Sequence, residues 1–69
     1  MDDKQLALAA CDDGFKEGVE KLVGGLFVNF IDAKKQADKD LALQRFQSTL
    51  SLYKEARQGA LQAIANVFP

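Results

Sequence analysis

The sequence predicts an all-α fold: an antiparallel helical hairpin that pairs with a second copy into a four-helix bundle. Three observations lead there. Large residues recur at steps of three and four through both halves of the 69-residue chain, which sets them on one face of a helix. The one proline, Pro69, is the last residue, so none interrupts either pattern. The apolar surface of the first half is wider than a single neighbouring helix can cover.

At this size the chain forms one domain, 1–69, whose core contributes only about 3 to 5 kcal/mol unless something reinforces it. A single cysteine, Cys11, and no histidine leave neither an internal disulfide nor the usual ligands of a structural zinc. Association with another chain is the remaining reinforcement. A hydrophobic content of 48% beside 28% charged residues fits a folded helical domain. The start, MDDKQ, has no basic segment ahead of an apolar run, so a cytoplasmic location is expected.

The first helix is expected over about 3–34. Phe15, Val19, Leu22, Leu26, Phe30 and Ala33 step by four and three. The run Asp12-Asp13-Gly14 carries signals for a break near 12–14, with glycine ending one helix and an aspartate capping the next. A break would leave a short extra N-terminal helix, whereas an uninterrupted helix would add Leu8 to the stripe. Ala7, Gly14, Gly18 and Gly25 make one flank hollow, and Val23, Phe27 and Ile31 make the other bulky. The segment KLVGGLFVNFI, 21–31, falls far short of the ~20 apolar residues of a membrane-spanning helix. Read as a strand, it would have no partner to pair with.

A turn at about 35–39 joins the first helix to a second over about 40–67, with Asp38 or Asp40 as its N-cap. Leu43, Phe46, Leu50, Tyr53, Arg57, Ala60, Ile64 and Val67 form its stripe, flanked by the small residues Ala42, Thr49, Ala56 and Ala63. With the turn centred near Gln36, Phe27 is expected near Phe46, Val23 near Leu50, Glu20 near Tyr53, and Asp13 to Glu17 near Arg57.

Catalysis has little to draw on. No histidine is present to act as a base near neutral pH or to activate Cys11. The pairs Asp2/Asp3 and Asp12/Asp13 suit caps and turns rather than acid–base work. Gly24-Gly25 lacks the lysine and hydroxyl of a phosphate loop. Neither catalytic residues nor a cofactor or metal site is expected, and the chain reads as non-enzymatic. Cys11 reads as a small apolar filler.

Interaction surfaces are the more informative feature. Leu22, Val23, Leu26, Phe27, Phe30, Ile31, Phe46, Leu50 and Tyr53 are the expected residues of assembly with a second copy or a partner. Arg57, alone among apolar positions, either lays its methylenes along the surface or reaches Asp12, Asp13 or Glu17 across the hairpin. Together with Lys34, Lys35, Lys39 and Arg45 near the turn, it is a candidate contact for an outside partner. The expected function is that of a small protein–protein interaction module: an adaptor, a chaperone-like subunit or an inhibitor of a larger complex. Phosphate contacts from the basic turn, as in an RNA-binding dimer, rank second. The charge split, −4 over 1–20 and +3 over 21–69, is small for a nucleic-acid binder. A hairpin lying on a membrane surface by its wide apolar face ranks third.

Overall fold

The computed structural model describes residues 2–69. Two long helices, α1 (Asp3–Asp32) and α2 (Gln36–Val67), run antiparallel and are joined by Ala33 to Lys35. The start of α1 is fixed by a reciprocal cap. The Asp2 carboxylate accepts from the Gln5 backbone N–H at 2.7 Å, and the Gln5 side chain accepts from the Asp2 N–H at 3.4 Å. Two of the donors that a helix start leaves without intrahelical partners are thereby satisfied.

No break occurs at Asp12-Asp13-Gly14; α1 continues through it. Ending a helix at glycine uses the left-handed backbone region, and no glycine of the described chain has a positive φ. Cys11, Phe15 and Val19 are half-buried on one side of the helix, and Leu8 joins them. Packing on α2 thus extends across the local break signal.

The turn lies earlier than the sequence suggests. Ala33 and Lys35 are extended, at φ −72°, ψ 126° and φ −107°, ψ 147°, and α2 begins at Gln36 rather than at 40. Its N-cap is Lys35, which makes no side-chain capping bond. The expected caps fall inside the helix. Asp38 is in the first turn, where its charge complements the helix dipole, and Asp40 accepts from Gln36 Nε2 at 3.0 Å. Gln36, Ala37 and Lys39 are good helix formers, which lets the helix start without a side-chain cap. Moving the turn shifts the pairing by a few residues. Tyr53 meets Gly18 instead of Glu20, Arg57 meets Asp12, and Phe27 shares a groove with Leu43 rather than Phe46.

The hairpin is a slab of 51 × 18 × 7 Å between Cα atoms, one helix thick. Its radius of gyration is 15.9 Å, against about 11 Å for a compact domain of this length. None of the described residues is buried. The half-buried positions trace a seam along the contact line, from Leu8, Cys11, Phe15, Leu22 and Leu26 on α1 to Phe46, Leu50, Tyr53, Ala60 and Ile64 on α2. No helix among the described residues is long and apolar enough to cross a membrane.

Candidate functional site

The hairpin offers a seam and two broad faces. In the seam the closest fit is at Gly18, where an added Cβ would sit 3.0 Å from Tyr53 Cζ and closer still to Cε1. The tyrosine ring therefore occupies the space that the missing side chain leaves. One turn nearer the open end, the Arg57 guanidinium lies 5.5 Å from the centre of the Phe15 ring. Its Nη2 donates to Asp12 Oδ1 at 3.2 Å. Of the two sequence readings of Arg57, the reach across the hairpin is the one observed. The side chains are 63% (Asp12) and 41% (Arg57) exposed, so solvent screens the pair and it contributes at most about 1 kcal/mol. The stacking on Phe15 adds to it.

The bulky face lies beside the turn. Leu26, Phe27, Phe30, Ile31 and Leu43 line a shallow groove of about 290 Å³ with apolar side chains only. Phe27 is 61% exposed, Ile31 79% and Leu43 44%. Phe30 is 36% exposed, with Lys39 Nζ 5.6 Å from its ring centre. Farther from the turn this face turns more polar, where Phe15 and Leu50 share a groove with Gln47, Ser51 and Lys54.

The opposite face is small. At about 100° per residue, Gly25 lies roughly 160° around α1 from Phe27. It lines a groove of about 250 Å³ with Ala42 and Thr49, rimmed by Lys21, Asn29 and Arg45. Nothing lies within 4 Å of a Cβ built on Gly25. The sequence puts Gly18 and Gly25 on one hollow flank, but the structure separates them: Tyr53 fills the first and the second stays open. Arg45 also lines the adjoining groove with Asp32, Asp38 and Leu41.

The nine expected assembly residues thus divide. Leu22, Val23, Leu26, Phe46, Leu50 and Tyr53 are half-buried, whereas Phe27, Phe30 and Ile31 are exposed. Lys34 and Lys35 are exposed at the turn, and Lys39 is half-buried against Phe30. Beside Lys34, Lys35, Lys39 and Arg45 the turn region also carries Asp32, Asp38 and Asp40, which leaves an excess of one positive charge. Sequence reasoning overlooked Leu41 and Leu52, which are 42% and 62% exposed. Their spacing of eleven residues, about three helical turns, was the available signal that they share a face. Among the described residues no cluster of histidine, cysteine and acidic side chains could hold a metal ion.

Compared with known proteins, the chain matches no family model, no curated protein and no solved structure.

Proposed function

We propose that this chain is a protein–protein interaction module, an adaptor, chaperone-like subunit or inhibitor of a larger complex, and that it works by binding as a homodimeric four-helix bundle. The observation that carries the reading is the surface left uncovered. The chain exposes 5369 Å², while a compact monomer of 7.6 kDa would expose about 4300 Å². The excess, roughly 1000 Å², is of the size that one partner buries in a standard protein interface, about 800 Å². Much of it is apolar, including Phe27, Ile31 and Leu43 on the bulky face. A closed two-fold pair of hairpins is the simplest way to cover it.

Sedimentation equilibrium tests the reading. The expected mass at tens of micromolar is twice the 7.6 kDa of one chain, and Phe27→Asp is expected to yield a monomer. Because Phe27 is 61% exposed in the hairpin, the substitution removes little of the packing within one chain. A helical monomer of the unaltered protein at that concentration would refute the proposal.

A further inference from the structure

We infer that two copies dock through their bulky faces with both turns at the same end, the two-fold axis running along the length of the hairpins. This rests on the homodimer reading above and goes further by fixing the face and the direction. Two slabs can meet face to face about an axis along their length or about one across their width, and the two arrangements bring different side chains together.

The apolar groove is far from the middle of the slab. Phe27 lies five residues before the end of α1 and Ile31 one, within about 8 Å of that end at 1.5 Å per residue. A crosswise axis through the groove would overlap only about 20 Å of the 51 × 18 Å face. That is on the order of 360 Å², less than half of the ~800 Å² that a standard interface takes from each partner. A crosswise axis through the slab's centre would recover the area but bring α1 over α1 end for end. Phe27 would then lie at the level of Gln5, Ala9 and Asp12 of the second copy, and Asp12 at the level of its Val23.

The lengthwise axis sets α1 over α2 of the second copy, level with level. Phe27 then meets Leu43, with which it already shares a level within the chain. Asp12 comes opposite Arg57 and Arg57 opposite Asp12, so the pair at 3.2 Å becomes the centre of a four-charge arrangement with alternating signs. Lys16 and Lys54 also come level, with Glu20, the acid that Lys16 reaches at 4.0 Å, beside them. Apolar side chains cover apolar ones beside the turn, Asp12 and Arg57 face opposite charges, and Glu20 offsets the approach of Lys16 to Lys54. The face with Gly25, Ala42 and Thr49 stays outside.

Electron-spin distance measurement on the full chain decides the direction. With Cys11→Ser removing the native thiol, a single label on Asp3→Cys reports the open end. Turns at the same end put the two labels within about 30 Å, on the order of two to three helix diameters. Opposed hairpins separate them by about the 51 Å length or more. A dimer by sedimentation with the long distance overturns the direction and leaves the homodimer reading standing. A monomer overturns both. The short distance combined with Phe27→Asp weakening dimerisation at least 100-fold supports the direction and the face. A short distance with Phe27→Asp dimerising as before overturns the face.

Discussion

The half of the hairpin toward the chain ends and the half toward the turn carry comparable apolar content but use it differently. Toward the ends, large meets small and charge meets charge: Tyr53 fills the space over Gly18, and Arg57 crosses Phe15 to reach Asp12. Toward the turn, Phe27, Phe30, Ile31 and Leu43 gather on one side while the opposite side is empty over Gly25. Two helices can satisfy each other only along a line. Where large side chains outnumber the positions on that line, they spill onto a face, and that face is where another chain gains most by docking.

Substitutions can break this contrast, each measured by thermal melting at one protein concentration because association contributes to stability. The largest effect is expected from Gly18→Leu, whose side chain overlaps the Tyr53 ring. A loss of about 2 to 3 kcal/mol corresponds to a melting temperature lower by roughly 10 to 20 °C in a domain of this size. An unchanged melting temperature would mean that the ring moves aside without cost. Next in size is the coupling between the two residues. Gly18→Ala should destabilise the native chain yet stabilise a Tyr53→Ala variant by up to about 1 kcal/mol, since alanine is the better helix former once the ring is gone. The same sign in both backgrounds would show that Tyr53 is not what restricts position 18.

Gly25→Ala should behave in the opposite way to Gly18→Ala, raising stability by about 0.5 to 1 kcal/mol, because its Cβ meets nothing and glycine in a helix interior is costly. A drop instead would mean that Gly25 is in close contact in the assembled protein, contrary to a small-residue face left outside. The smallest effect is expected at Arg57. Arg57→Ala should cost about 1 kcal/mol or less, with part of the loss vanishing in high salt. Arg57→Lys should recover only part of it, since a lysine ammonium does not reproduce both the hydrogen bond to Asp12 and the guanidinium's place over Phe15. A loss independent of salt would assign the residue to packing alone.

The helices and their inner stripes were legible from spacing, because a helical period of 3.6 marks the same face whatever the helix packs on. Phe15, Val19, Leu22, Leu26, Phe46, Leu50 and Ile64 lie in the half-buried seam, whereas Phe30, Leu43 and Val67 of the same stripes are exposed. The bulky flank was legible for the same reason. Less legible were the positions that depend on the other helix. The turn moved from 35–39 to Ala33–Lys35, since no glycine or proline marks it and helix propensity differs little among the residues around it. That displacement carried Tyr53 from Glu20 to Gly18 and turned an expected pair of equivalent glycines into one filled and one open. Asp32, Asp38 and Asp40 offset most, though not all, of the charge of Lys34, Lys35, Lys39 and Arg45 around the turn.

By itself the sequence determined two helices, which side of each turns inward, and a first helix with more large apolar residues than one neighbour can cover. These are properties of composition and period, and they hold for any partner that packs there. Tertiary structure decided the register between the helices, and with it which glycine is occupied, which acid Arg57 reaches, and that Phe27, Phe30, Ile31 and Leu43 gather beside the turn on one face. Register arises from contacts between residues far apart in the chain, up to the 45 positions between Asp12 and Arg57. No local pattern carries that information.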